Sequence, residues 1–216
     1  MSTTPTRIVH YGDALQWLAE AGPFPGCSFI TSLPDVSELG GMTLDAWKPW
    51  FRNAAGAILS RLPDDGVALF YQSDVKVNGE WIDKGYLCSR AAEDHGCITL
   101  LHKIVCRKPP GTLAFGRPAY AHLVGFSRAV RLNMTRSQPD VLADPGESVW
   151  TRGMGREACR LACRFVVDNT TSHTIIDPFC GRGSILAAAN ELGLNAIGVE
   201  LNRKRVGQAR NCSFAD

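Results

Sequence analysis

Ile175-Ile176-Asp177-Pro178-Phe179-Cys180-Gly181-Arg182-Gly183-Ser184 runs on through an Ala-rich segment to Gly198-Val199-Glu200-Leu201-Asn202. The order is apolar run, acid, Gly-x-Gly turn, helical pattern, second apolar run, Glu, which is the pattern of one β-α-β unit. Thr174-Ile175-Ile176 is a short β-branched strand. Gly181 and Gly183 let the chain turn tightly at its carboxyl end while a ligand approaches the backbone. Ser184 can cap a helix over Ile185–Glu191, and Gly193 suits the position just past its end. Asn195–Val199 then forms a strand that delivers Glu200 to its tip, where a carboxylate suits a ribose diol, both of whose hydroxyls donate to it.

The composition is that of a globular chain. With 216 residues, 45% hydrophobic and 20% charged, residues 1–216 are expected to form one domain around a full core. There is no apolar run of membrane-spanning length and no charged-then-apolar leader, so the expected compartment is the cytoplasm, with no membrane partner. Eight cysteines with no Cys-x-x-Cys, and five histidines in no zinc pattern, read as reduced, mostly buried thiols and no metal. A net charge of +2 permits a polyanionic partner without demanding one.

From the amino end, Arg7–His10 reads as a strand, Leu15, Leu18 and Ala19 as a helix face, and Cys27–Thr31 as a second strand closed by Ser32-Leu33-Pro34-Asp35. Leu44–Leu62 has helical spacing with Pro49 in its first turn, Val67–Tyr71 is a strand, and Trp81–Ala92 is a weakly patterned helix. Cys97–Cys106 and Ala121–Val130 read as an antiparallel edge hairpin, Ser137–Gly146 as a flexible linker, and Arg156–Val167 as an amphipathic helix.

The Asp-Pro-Phe-Cys-Gly-x-Gly-Ser string resembles the cofactor motif of Rossmann-like S-adenosylmethionine (SAM) methyltransferases. The dinucleotide fingerprint fails because Leu186 stands in place of its third glycine. Since the β-α-β comes last, the whole chain is similar to the circularly permuted amino-methyltransferases that modify exocyclic amines of DNA bases. That resemblance implies an α/β three-layer sandwich, circularly permuted, with a mostly parallel sheet and an antiparallel edge hairpin. Gly12-Asp13-Ala14-Leu15 resembles the segment whose acid meets the adenine of SAM. Ile30-Thr31-Ser32-Leu33-Pro34-Asp35 stands in place of the Asp-Pro-Pro-Tyr catalytic loop, and Phe115 through Ser127 matches the last strands. Arg152–Arg156 stands where the chain approaches the methionine end. The resemblance thus places on S-adenosyl-L-methionine Asp13, Ala14, Thr31, Arg152, Met154, Asp177, Phe179, Cys180, Gly181, Gly183, Ser184, Glu200, Leu201 and Asn202.

Two departures from the family bear on the substrate. The catalytic loop reads Ser-Leu-Pro-Asp, so the acid has moved and the ring that stacks a flipped base is gone. Asp35 becomes the expected base or orienting acceptor, Ser32 a hydrogen-bonding partner of the target, and Pro34 the residue that keeps the turn. Asn133–Val149 is too short for a target-recognition domain, so the expected substrate moves from DNA to structured RNA, transfer RNA first, by analogy with other compact methyltransferases. DNA adenine or cytosine is the alternative; a non-catalytic SAM-fold module, and a small-molecule or protein methyltransferase, are rival readings. Lys103 could lower the pKa of a hydroxyl target, and Lys103, Arg107 and Lys108, with Arg117, Arg128, Arg131 and Arg136, could line a phosphate track in a region sparse in acids. The pattern admits a homodimer or a partner subunit.

Overall fold

The computed structural model describes residues 4–133, 138–150 and 153–214. Its centre is an eight-stranded sheet in the order β1-β10-β9-β2-β3-β7-β6-β8. β1 (Arg7–Tyr11), β10 (Asn195–Glu200), β9 (Thr174–Asp177), β2 (Cys27–Thr31) and β3 (Ala68–Gln72) are parallel. β7 (Tyr120–Ser127) runs antiparallel to both β3 and β6 (Ile98–Cys106), which gives the expected hairpin. β4 (Val75–Val77) and β5 (Glu80–Ile82) form a separate two-stranded ribbon, turned by Asn78 and Gly79 with φ of 51° and 81°.

The strands at the centre are apolar on both faces because helices cover both. Successive residues point to opposite sides: Phe29, Phe70, Val124 and Phe126 pack with α1 (Ala14–Glu20), α2 (Leu44–Arg61) and α3 (Lys84–Asp94), where Leu18, Trp47, Phe51 and Cys88 are buried. Ile30, Leu69, Leu123 and Ile175 pack against α4 (Arg156–Asn169), α5 (Ser184–Glu191) and α6 (Arg203–Arg210) through Cys159, Ala162, Leu186 and Val206. The chain ends meet as permutation requires: the Arg7 guanidinium donates to the carbonyls of Ala209 (3.2 Å) and Cys212 (2.5 Å). All eight cysteines are free thiols, Cys159 and Cys163 among the buried ones.

Five local expectations are corrected. Pro49 lies in the second turn of α2, not its first, and both it and Asp45, the residue one turn earlier whose carbonyl it cannot bond, are exposed. The segment from Trp81 begins as strand β5, and the helix starts only at Lys84, where the Asp83 carboxylate accepts from the Tyr86 N–H (2.8 Å) and caps it. Inside the proposed linker, Val141–Leu142 forms β8, pairing in parallel with Ile104 and Val105 at the sheet edge. Strand β7 ends at Ser127 rather than Val130, because the Ser127 hydroxyl turns to the Gly66 carbonyl (2.6 Å). Gly183, not Ser184, caps α5, with φ of 87° and its N–H on the Cys180 carbonyl (2.8 Å).

Candidate active site

The carboxyl ends of β1, β10, β9 and β2 converge on a cavity of about 400 Å³, within the range of small-molecule sites and at the sheet end where open α/β folds bind ligands. Asp13 and Ala14 line it from the start of α1, and Ser32 and Pro34 from the end of β2. Asp177, Phe179, Cys180, Gly181 and Ser184 come from the glycine turn, Glu200, Leu201 and Asn202 from the end of β10, and Met154 from the approach to α4. The sequence-derived constellation is thus largely brought together. Arg152 and Arg136 lie outside the described residues.

Glu200 sits with its side chain 10% exposed, its Oε1 accepting from the Asn202 N–H (2.7 Å). Burial raises its pKa, while the Asn202 and Gly181 N–H groups and Arg205 hold it down. Asp13 spends one oxygen on the Leu15 and Gln16 N–H groups (both 2.9 Å), which fixes its carboxylate at the cavity rim. Asp177 is fully enclosed; burial pushes its carboxyl up to about 7, against the Thr31 hydroxyl (2.6 Å) and the Phe179 N–H (3.1 Å) that both donate to it.

Two expected cofactor residues do other work. Thr31 is wholly buried and does not line the cavity; it holds Asp177. Gly183 also lies off the cavity, and a Cβ there would meet the Ala209 Cα at 2.8 Å, so the second glycine lets α6 pack against the turn. Gly181, at φ 55°, is the glycine of this turn that lines the cavity. Glycine spacing was legible in the sequence, but which glycine served which purpose was not.

The cavity also has walls that sequence reasoning missed. Trp50 from α2 contacts Phe179 edge-on (centroids 6.4 Å apart), and Trp150 lies beside Gly181 with the guanidiniums of Arg182 and Arg205 at 5.3 and 5.2 Å from its ring. Glu38 and Leu39 complete the wall beside Pro34. A tryptophan in a loop has no periodicity to betray it.

The Ser32–Asp35 loop divides this cavity from a second, of about 550 Å³, lined by Asp35, Lys76, Arg107, Lys108, Phe115, Arg117 and neighbours. Ser32 and Pro34 face the first cavity and Asp35 faces the second. Trp47 Nε1 donates to the Pro34 carbonyl (3.2 Å) and the Asp35 N–H donates to Glu38 Oε2 (3.0 Å), so the loop is held at both sides of its turn. The Asp35 carboxylate, 3% exposed, is tied to Lys84 Nζ (2.9 Å) and to the Arg117 guanidinium. That corrects the expectation of a base: both carboxylate oxygens are already held by cations, which leaves them poorly placed to take a substrate proton. Lys84 was invisible in sequence because 49 residues separate it from its partner.

Lys103 is corrected outright. It is 4% exposed, donates to the Pro139 carbonyl (2.8 Å), and lines neither cavity. Arg107 and Lys108 do line the second, Arg107 also donating to the Ser73 hydroxyl (2.9 Å). Beyond Lys84 the polar chain continues: the Lys84 N–H donates to Asp74 (2.9 Å), whose other oxygen meets Trp81 Nε1 (3.0 Å) and His122 Nε2 (3.1 Å), and His122 Nδ1 meets His102 Nε2 (3.1 Å). Burial and the neighbouring His122 lower the His102 pKa. Asp74, Asp83 and His122 lie close enough to hold a metal, but the Asp74 oxygens are already taken by N–H donors.

The first cavity fits S-adenosyl-L-methionine: a largely buried carboxylate for a diol, an apolar and aromatic wall, and a positive-φ glycine that leaves the backbone open to a ligand. No helix among the described residues is long and apolar enough to cross a membrane. No curated protein matches the chain in sequence. A family model described as DNA methylase matches residues 165–211. Among solved structures, a putative DNA modification methylase from Thermus thermophilus, complexed with S-adenosyl-L-methionine, is similar with a TM-score of 0.73 and 18% identity, over 95% of this chain and 93% of that one. PvuII DNA methyltransferase, described as cytosine-N4-specific, gives 0.72 and 16% over 96% and 86%. The M1.HpyAVI–SAM complex gives 0.66 and 12% over 95% and 98%. The fold of this chain is therefore the Rossmann-like fold of those methylases, and the segment that matches the DNA methylase family carries both the glycine turn and Glu200.

Proposed function

We propose that this chain transfers a methyl group from SAM to the exocyclic amine of a DNA base. One observation carries the reading: Ser32 and Pro34 form a wall of the cavity that contains Glu200, Asp13 and Gly181, while the next residue, Asp35, opens onto a cation-lined cavity. Donor and acceptor sites thus share one short loop.

SAM supplies a methyl group made electrophilic by its sulfonium. The residues of the chain bind, orient and exclude water, which is most of what an in-line displacement needs. Glu200 takes the ribose hydroxyls and Asp13 lies at the adenine end. The exposed Ser32 hydroxyl can accept one N–H of the target amine and so aim the nitrogen lone pair at the methyl carbon. The lone pair forms the N–C bond as the C–S bond breaks, the sulfur keeps the bonding pair, and the amine then releases one proton to water. Asp35, bound by Lys84 and Arg117, shapes the loop rather than accepting that proton.

The expected RNA substrate gives way to DNA. Support for DNA comes from the match to the DNA methylase model and from similar structures described as DNA methylases, whereas the RNA reading rested on the altered loop, the short 133–149 segment and analogy with compact methyltransferases. The test is methyl transfer from labelled SAM to DNA and RNA oligonucleotides of one sequence, with the modified nucleoside identified by mass. Label on an adenine or cytosine amine of DNA is expected; label confined to RNA would overturn the reading.

A further inference from the structure

We infer that the DNA strand enters this site unpaired, docking as a single strand on the surface formed by Arg107–Pro118 and the β4–β5 ribbon. The inference deepens the proposed function and takes from it only that the polyanion is DNA. Arg107, Lys108, Arg117 and Lys76 line the second cavity, and its one acid, Asp35, is already tied to two cations. The chain from Ile98 to Pro139 contains no Asp or Glu at all. That charge complements a phosphate backbone.

Large apolar side chains on this surface face outward, two of them aromatic. Phe115 is 93% exposed, on the rim between Arg107 and Arg117, and Leu113 beside it is 83% exposed. Trp81, 47% exposed, stands on the ribbon with Lys76 Nζ 4.6 Å from its ring centroid, and the Lys76 N–H donates to the Gly116 carbonyl (2.9 Å), tying ribbon to loop. Aromatic faces among cations are what unstacked bases bind, without sequence preference.

Two further features disfavour a duplex. Extracting a paired base costs a few kcal/mol, normally offset in part by stacking inside the pocket, and the loop offers Asp35 where such a ring would stand. Reading a duplex also needs a helix or ribbon free to enter the major groove, whereas the β4–β5 ribbon is held to the loop by the Lys76 N–H on the Gly116 carbonyl. Between β7 and α4 the described residues hold only the two-residue β8, which is spent on the sheet edge.

The experiment is fluorescence anisotropy with full-length protein and SAM, using labelled dT12, a mixed-sequence 12-mer, its duplex, and the matching RNA strand, at several salt concentrations. Single strands should bind at least about tenfold more tightly than the duplex. Phe115→Ala, which removes a side chain with almost no contacts to lose, should weaken strand binding about 5- to 150-fold, the range that base–aromatic stacking supplies. Arg107→Ala with Lys108→Ala should reduce the slope of log affinity against log salt by about 1.4, or 0.7 per phosphate contact. Equal or tighter duplex binding, tighter RNA binding, or an unchanged Phe115→Ala would each overturn the inference. Methyl transfer separates this from the proposed function: amine methylation with equal strand and duplex affinity removes the inference alone, whereas selective strand binding without transfer supports it and removes the enzymatic reading.

Discussion

Asp35→Asn separates a structural ion pair from a catalytic base. The substitution is nearly isosteric, but it leaves the Lys84 ammonium, 4% exposed, without a counter-charge; Arg117, 36% exposed, can turn to water. Burial already lowers the Lys84 pKa, and Asp35 is the main group holding it up. An uncompensated buried charge costs about 3–5 kcal/mol. The lysine has an escape by losing its proton, and from its ordinary value of 10.5 that costs about 4.8 kcal/mol at pH 7 and about 2 kcal/mol at pH 9. The loss should therefore lie near 3–5 kcal/mol at neutral pH and shrink as pH rises. The sign follows from linkage: the unfolded lysine binds a proton that the folded variant does not, so stability climbs by up to about 1.4 kcal/mol per pH unit until the unfolded lysine titrates. Urea denaturation of wild type, Asp35→Asn, and Asp35→Asn combined with Lys84→Met, at about pH 7 and pH 9, reads this directly. The double variant should recover most of the loss, since removing both charges leaves none stranded. If Asp35→Asn keeps wild-type stability at neutral pH while methyl transfer falls a hundredfold or more, the ion-pair reasoning is wrong and Asp35 is the base.

Glu200→Ala should weaken SAM binding by about 1–3 kcal/mol, the cost of stranding paired polar groups; unchanged calorimetric affinity would remove Glu200 from the ribose. Gly183→Ala and Gly193→Ala both place a side chain at positive φ, 87° and 79°, but only the first meets backbone, at 2.8 Å from Ala209. The first should lower stability by at least about 1 kcal/mol more than the second, and equal melting temperatures would show that α6 yields. Asp177, raised by burial to about 7 from an ordinary 3.8, holds a proton in the folded state that the unfolded chain gives up. Its contribution to stability is full below about pH 4 and lost as pH rises through about 7; Asp177→Asn should flatten that part of the pH–stability curve, and a curve of unchanged slope would place the titration elsewhere.

Local chemistry made the β-α-β legible from sequence alone. β-branched runs, glycines that tolerate positive φ, and a Glu one strand later each constrain their neighbours within a few residues, so the donor end of the site, from Asp177 to Asn202, could be placed from those residues. The edge hairpin followed from two strand-like runs separated by a Gly- and Pro-containing loop. Tertiary structure decided what depends on distant residues. Asp35 looked like a base in its loop and became half of a buried ion pair because Lys84 and Arg117 arrive from a helix and a loop far along the chain. Thr31 and Gly183 looked like cofactor contacts and serve Asp177 and Ala209 instead, since side-chain alternation and the docking of α6 set which way each faces. Lys103 turned inward to the Pro139 carbonyl when β8 closed the sheet edge. Trp150 entered the cavity wall beside two arginines, and its ring meets their charges only in three dimensions. Backbone conformation is fixed by near neighbours and so is written locally, whereas the charge state and direction of a buried side chain are set by whatever the fold packs against it.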